Sequence, residues 1–286
     1  MHLGNARTAL LAWLDARAGG GRIVLRIEDL DPLRSRRTYA DLILRDLAWL
    51  RLDYDEGPIF QSERAARYAA VLEDLKARDL VYPCWCARAD LHHAAGAPHA
   101  GEEVRYPGTC AQRSCTHGVR RRKPAWRLRT PSRAYAWEDL VLGVRSERAD
   151  LYGDVAVRRS DGAFGYQLAV VIDDAELGIT RAVRGEDLVT STPRQLALHE
   201  LLGYRPPRFG HAPLMLDDAG RRLAKRAPST TIAGLRDAGH DPRAVVAELA
   251  AGLGWTARGE RLWPHDLLAA GFGLDRLRAH RERRRA

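Results

Sequence analysis

A helix, a glycine stop and a short apolar strand open this chain, and that order restricts its fold more than any other feature. Residues 5–18 (NARTALLAWLDARA) set apolar side chains at helical spacing and end in Gly19-Gly20-Gly21, a run that halts a helix. Residues 22–27 (RIVLRI) form a branched apolar run of strand length. Glu28, Asp29 and Asp31 follow it, and residues 36–51 and 62–79 return to helical spacing. Helix–strand–helix order predicts an α/β fold with a parallel sheet, because parallel neighbours need a crossover that a helix supplies. Ligands in such sheets gather at the carboxyl ends of strands, which is where Glu28 stands.

Residues 80–130 break the pattern. They hold all four cysteines, a Gly/Ala/His stretch and the run Arg120-Arg121-Arg122-Lys123, so an insertion with its own small structure is expected. Regularity is expected to return near residue 151. Residues 164–172 (FGYQLAVVI) predict a strand ending in Asp173-Asp174. Thr192-Pro193 predicts an N-cap followed by proline at the first helical position, with the helix reaching about Leu202. Residues 211–226 predict a hairpin or long loop with Asp217-Asp218-Ala219-Gly220 at its tip, and 230–279 short helices. Arg281 to Arg285 form a charged tail, and no internal repeat is evident.

The chain has 286 residues and a formal charge of +9. That balance favours a polyanionic partner, most often nucleic acid, because neutralised phosphates release counterions. No stretch is long and apolar enough to cross a bilayer, and no secretory leader is evident, so a cytoplasmic protein is expected. In a reducing compartment the cysteine cluster points to metal before disulfide.

His2-Leu3-Gly4-Asn5 immediately precedes the first helix. Backbone N–H groups and the dipole at a helix start favour phosphate. Glycine lets the backbone approach a flat base or ribose, and a histidine there can donate to a phosphoryl group as its charge grows. The tetrapeptide alone is weak evidence; its place before a clear helix gives it weight. Arg222-Leu223-Ala224-Lys225-Arg226 would put a lysine on a loop able to swing onto the same phosphates. In isolation it fits a solvated basic loop better. Cys84, Cys86 and Cys110 supply three thiolates for tetrahedral zinc, and generic chemistry would add Cys115 or His117. Arg120 to Lys123 and Trp126 are candidates for nucleic-acid contact, set against a solvated face and a core tryptophan. Asp173-Asp174 could pass for a magnesium cage, but capping at a strand end is the better account.

The H-x-G-N start and the basic L-x-K-x loop, in that order, resemble the two signature motifs of class I aminoacyl-tRNA synthetases. RIEDLD at 26–31 and YQLAVVIDDAELGITRAVRGEDLVTSTPRQ at 166–195 are similar to the glutamyl branch of that class. Within the branch, the chain most resembles the glutamyl-Q tRNA(Asp) synthetases, which look like the catalytic half of a glutamyl-tRNA synthetase without its anticodon-binding domain. The resemblance implies a Rossmann-like catalytic domain in two halves, residues 1–80 and 131–228. A zinc-binding insertion would occupy 81–130 and a short helical region 229–286. It implies ATP-dependent activation of L-glutamate without tRNA, with magnesium accompanying ATP. Transfer to the queuosine base in the anticodon of tRNA(Asp) would follow.

By the same resemblance His2, Gly4, Asn5 and Lys225 serve ATP. Glu28 takes the substrate ammonium, Arg184 a carboxylate, and Tyr166 supplies a hydroxyl. Taken singly, those three fit better an acidic turn, a surface ion pair and a strand tyrosine. The pattern C-x-C then Y-x-x-x-C makes Tyr106 the fourth zinc ligand, with Cys115 as its rival. The loop departs from the family where Arg222 replaces its usual first lysine and Ala224 its serine, so Lys225 is expected to carry most of the role. In the family a strand bearing an arginine and a serine turn comes before the histidine. Here only Met1 does, and either an upstream start or an impaired product is expected. The rivals are a fragment of a conventional glutamyl-tRNA synthetase and a non-catalytic RNA-binding module. A monomer is expected.

Overall fold

The computed structural model describes residues 1–31, 35–87, 105–112, 123–215 and 231–285. Helix α1 (Leu3–Ala18) buries Ala6, Leu10, Leu11, Trp13 and Leu14 and ends at Gly19. Strand β1 (Val24–Ile27), helix α2 (Arg37–Trp49) and strand β2 (Glu56–Phe60) form a parallel βαβ unit in which Ile27 lies opposite Phe60. A single turn, Gln61–Arg64, leads into α3 (Ala65–Ala77). Strands β3 (Val81–Cys84) and β4 (Ala125–Leu128) stand at the two ends of the cysteine-rich stretch and pair antiparallel. A hairpin, β5 (Ala134–Asp139) and β6 (Gly143–Arg148), follows, and then β7 (Ala156–Arg158) pairs with β4. Helix α4 (Tyr166–Glu176) precedes a second parallel βαβ unit: β8 (Arg181–Gly185), α5 (Thr192–Leu202) and β9 (Arg208–Ala212). Four helices close the described chain: α6 (Ile232–Asp237), α7 (Pro242–Ala251), α8 (Pro264–Ala269) and α9 (Leu274–Arg285).

The expected parallel α/β pattern is therefore present as two parallel pairs, β1 with β2 and β8 with β9, each with its own crossover. Three sequence expectations change. Residues 166–176 are helix, not strand. The run Leu168 to Asp174 is buried without a break, and a short apolar run buried on all sides has no period to separate helix from strand. Asp173 and Asp174 accordingly lie in a helix rather than at a strand end. Regularity returns at β4, well before residue 151, and β5 and β6 lie in the interval assigned no element. Thr192 is the first residue of α5 rather than its cap, and Ser191 occupies the cap position. The expected hairpin tip at 217–220, Arg222, Ala224, Lys225, Cys115, His117 and Arg120 to Arg122 lie outside the described residues.

Two apolar cores hold the elements. One joins α1 to the turn between β5 and β6 and to α7, α8 and α9, through Leu10, Leu14, Val141, Leu249, Leu267 and Leu274. The other packs α3, β3, β4, β7 and α4 around Leu72, Leu128, Val157 and Leu168. Each buried leucine contributes on the order of 2 kcal/mol. Helix α1 is held from both sides, against β8 and against the C-terminal helices, so its N-terminus has a fixed address. No helix among the described residues is long and apolar enough to cross a membrane.

Candidate active site

A cavity of about 510 Å³ opens where the N-terminus of α1 meets the carboxyl ends of β1 and β8. That volume suits a small-molecule site. His2, Gly4 and Asn5 line it from α1, Glu28 from the end of β1 and Arg184 from β8. Five residues singled out from the sequence thus share one wall system. Tyr166, first residue of α4, stands beside Glu28 and Arg184.

Gly4 has a specific reason to be noted. A Cβ added there would meet nothing within 4 Å among the described residues, so no packing among them requires a glycine in this first helical turn. The open space belongs to the cavity. His2 is the N-cap of α1, in extended conformation, and its side chain does not cap the helix. The first N–H groups of α1 therefore keep their capacity for an anion.

The charged side holds two arginines among carboxylates. Arg26 Nη1 donates to Asp174 Oδ1 at 2.7 Å and Nη2 to Glu28 Oε1 at 3.2 Å. Burial works against the Arg26 charge, but Asp174 and Glu28 outweigh it and raise its pKa. Glu28 keeps 42% of its side chain accessible although protein surrounds it, because it faces the cavity. Its desolvation pushes the carboxyl up, and Arg26 opposes the shift. Burial likewise raises the Tyr166 phenol, with Glu28 adding to the effect. Arg184 donates from Nε to His211 Nε2 at 3.0 Å, from Nη1 to Gln195 Oε1 at 2.5 Å and from Nη2 to Thr192 Oγ1 at 2.8 Å. Burial lowers its pKa, while Tyr166 and Asp174 oppose the change.

Arg26 was not singled out in the sequence, yet the signal was there. It is a charge inside an apolar strand, two residues before Glu28, and strand residues two apart share a face. Asp173 and Asp174 are committed to protein partners. Asp173 accepts from Gln61 Nε2 at 2.8 Å and Arg64 Nε at 2.7 Å, and from the Tyr68 hydroxyl. A magnesium cage is not what they form.

A second constellation lies between β3 and residues 105–112. Cys84, Cys86 and Cys110 bring their sulfurs within 4.8 Å of one another. Cys86 Sγ and Cys110 Sγ are 3.7 Å apart, and Cys84 Sγ and Tyr106 Oη 3.5 Å. Tetrahedral zinc with ordinary bond lengths sets sulfurs about 3.8 Å apart and a sulfur and an oxygen about 3.5 Å apart. Both spacings fit. Burial raises the Cys84 thiol, but hydrogen bonds with Tyr106 and Arg127 outweigh it and lower its pKa. Cys110 is disulfide-bonded here, where metal was expected before disulfide; the two are alternatives at this sulfur, because only a thiolate ligates.

Near this cluster, Trp126 is half-buried, with Lys76 Nζ 4.0 Å from its ring centroid. Lys123 is exposed.

Residues 1–267 match the family described as tRNA synthetases class I (E and Q), catalytic domain. The chain belongs to that family. A glutamyl-Q tRNA(Asp) synthetase of Nitratidesulfovibrio vulgaris is 48% identical over 264 residues, covering 87% of this chain and 82% of its own length. One from Symbiobacterium thermophilum is 46% identical, covering 97% of this chain and 90% of its own length. The crystal structure of a glutamate-tRNA synthetase from Elizabethkingia anophelis superposes with a TM-score of 0.77 at 26% identity. It covers 96% of this chain, which spans 63% of that longer one. These relatives are synthetases by name, and the class I synthetase chain described here carries its charged cavity where the α/β architecture places ligands.

Proposed function

We propose that this chain activates L-glutamate with ATP, without needing tRNA for that step, and transfers the glutamyl group to the queuosine base in the anticodon of tRNA(Asp). One observation carries the activation half: a single cavity joins an open helix N-terminus, suited to phosphates, to a set of charges complementary to an amino acid with two carboxylates. Glu28 takes the ammonium. Arg184 takes a carboxylate through two N–H groups. A carboxylate so clamped has both oxygens committed, so it is the side-chain one, and the α-carboxylate is left to react. One of its oxygens bonds to the α-phosphorus of ATP as the bond to pyrophosphate breaks. The glutamyl-adenylate then passes its acyl group to a hydroxyl of the acceptor and releases AMP.

No protein nucleophile is needed. His2, Gly4 and Asn5 align the nucleotide, and rate comes from alignment and from cations around the developing charge. Magnesium would accompany ATP and offset the negative charge of its phosphates. Lys225 supplies the loop cation, so Lys225→Ala lowers adenylate formation far more than Arg222→Ala. Equal, small losses in pyrophosphate exchange would defeat that assignment. Zinc is proposed at Cys84, Cys86, Cys110 and Tyr106, supported by the two spacings above.

The acceptor half rests on the relatives' names and on the basic charge. Two assays test the whole reading. Glutamate-dependent ATP–pyrophosphate exchange is expected without tRNA; a strict tRNA requirement would point to the activity of a conventional glutamyl enzyme. Labelling by glutamate is expected only on tRNA(Asp) that carries queuosine, and equal labelling of tRNA(Asp) lacking it would overturn the acceptor.

A further inference from the structure

Behind Arg184 lies a buried pair that the chemistry above does not use. His211 and Asp139 are both fully buried, one from β9 and one from the end of β5. Asp139 Oδ1 accepts three backbone N–H groups, from Val141 and Leu142 at 3.0 Å each and from His211 at 3.2 Å. Its Oδ2 meets His211 Nδ1. Burial opposes the Asp139 charge, but the bonds from His211 and the backbone outweigh it and hold its pKa at about 2. A carboxylate only accepts, so Nδ1 carries the imidazole proton. On the other side Arg184 Nε only donates, at 3.0 Å, so Nε2 must carry a lone pair. Both neighbours demand the same neutral tautomer.

The donor count follows. Nε–H is given to His211, one Nη1 hydrogen to Gln195 and one Nη2 hydrogen to Thr192. Gln195 is itself fixed, donating to Gln167 Oε1 at 2.8 Å, and Gln167 donates to Ser191 Oγ at 2.9 Å. The second N–H of each terminal nitrogen lies on the cavity side, where the Tyr166 hydroxyl also bonds to Arg184. We infer that Asp139 and His211 are positioning residues that set the plane of Arg184 and so determine selection of a carboxylate over an amide. Asp139 fixes the tautomer, the tautomer makes Nε2 an acceptor, and the acceptor holds the guanidinium so that its cavity-side donors form a fork. A carboxylate offers two acceptor atoms to that fork and an amide only one.

This rests on the reading that Arg184 holds the glutamate side chain, so Arg184→Lys is the reference. Pyrophosphate exchange is measured with glutamate, with glutamine and against ATP. Asp139→Asn must keep its oxygen on the three backbone N–H groups, which turns its amide toward His211 Nδ1. The imidazole proton then moves to Nε2 and faces the Nε–H of Arg184, donor against donor. His211→Phe keeps the ring and loses the acceptor; His211→Gln restores an acceptor oxygen.

Asp139→Asn and His211→Phe are expected to raise the KM for glutamate roughly tenfold or more and to shrink the preference for glutamate over glutamine, with the KM for ATP unchanged. His211→Gln should recover most of both. An unchanged preference in Asp139→Asn and His211→Phe, alongside a lost one in Arg184→Lys, would overturn the inference. So would equal rises in both KM values, the mark of a merely structural role. If Arg184→Lys itself leaves glutamate KM and preference unchanged, the failure lies in the underlying reading. Should Asp139→Asn not fold, the contrast between His211→Gln and His211→Phe decides alone.

Discussion

The charged cavity and the cysteine cluster are both polar sites, but they are held in opposite ways. Every charged group on the cavity's back wall already has protein partners: Arg26 has Asp174 and Glu28, and Arg184 has His211, Gln195 and Thr192. The cavity is organised without its ligand. The cluster draws three sulfurs together beside Arg127, whose Nε donates to Cys84 Sγ at 3.4 Å. Thiolates crowded so closely repel one another, and protonation, a bound cation or oxidation, such as the Cys110 disulfide, relieves them. The cavity should therefore survive loss of its ligand unchanged in shape, while the cluster should depend on its ion.

Metal removal tests this most strongly, since zinc in small thiolate sites is worth on the order of 10 kcal/mol. About one zinc per chain is expected in the reduced protein, and close to none in Cys110→Ser. Hydrogen exchange should speed up around residues 81–87 and 105–112 of the metal-free protein and stay unchanged along β1 and β8. Tyr106→Phe should bind zinc more weakly. Full zinc retention in Tyr106→Phe, with loss in Cys115→Ser, would move the fourth ligand to Cys115. Exchange speeding up in β8 instead would break the contrast between the two sites.

The reverse case is Arg184→Ala. Removing one member of a desolvated charge pair costs roughly 4 kcal/mol, about 10³-fold in kcat/KM for glutamate. Zinc content should not change. A melting temperature within a few degrees of the parent would confirm that Arg184 serves the ligand more than the fold. A loss of activity below tenfold would show that the cavity's fork is not where glutamate is held.

The same contrast explains what could be read from the sequence. Residues marked by a family motif or by clustering in the sequence were legible: His2, Gly4, Glu28 and Arg184 line the cavity, and Cys84, Cys86 and Cys110 meet. Groups that act through another residue were not. Asp139 and His211 are 72 residues apart and neither sits in a motif, so only the fold brings them behind Arg184. The misassigned strand at 164–172 failed for a related reason. Helix α4 is buried all round, and its two aspartates look like caps until Arg26, Gln61, Arg64 and Tyr68 arrive from other elements.

Helix α5 offers a sharper version of the comparison within one element. Its first turns hold Arg184 through the bonds to Thr192 and Gln195. Further along, His199 is 1% exposed, and neither ring nitrogen has a partner among the described residues. Burial lowers its pKa from the usual value of 6.5 to about 4. The unfolded chain binds the proton below pH 6.5, whereas the fold refuses it until about pH 4. Stability must therefore fall as the pH drops through that window, by roughly 3 kcal/mol in all. His199→Leu should remove that slope while leaving glutamate kinetics near the parent values. Chemical denaturation of both proteins from pH 7 to 4 measures it, and parallel curves would show that His199 has a partner after all.

The smallest effect separates stability from function at a single atom. Glycine in the first turn of α1 costs the helix up to about 1 kcal/mol relative to alanine, and a Cβ at Gly4 would touch no atom of the described residues within 4 Å. Gly4→Ala should therefore raise the melting temperature slightly. The same methyl group would stand in the cavity at the helix N-terminus, where the nucleotide is proposed to lie against the backbone. The KM for ATP should rise while the KM for glutamate holds. Thermal melting and pyrophosphate exchange on one preparation read both signs. A more stable protein with unchanged ATP kinetics would leave the open space over Gly4 to some other part of the ligand and move the nucleotide away from α1.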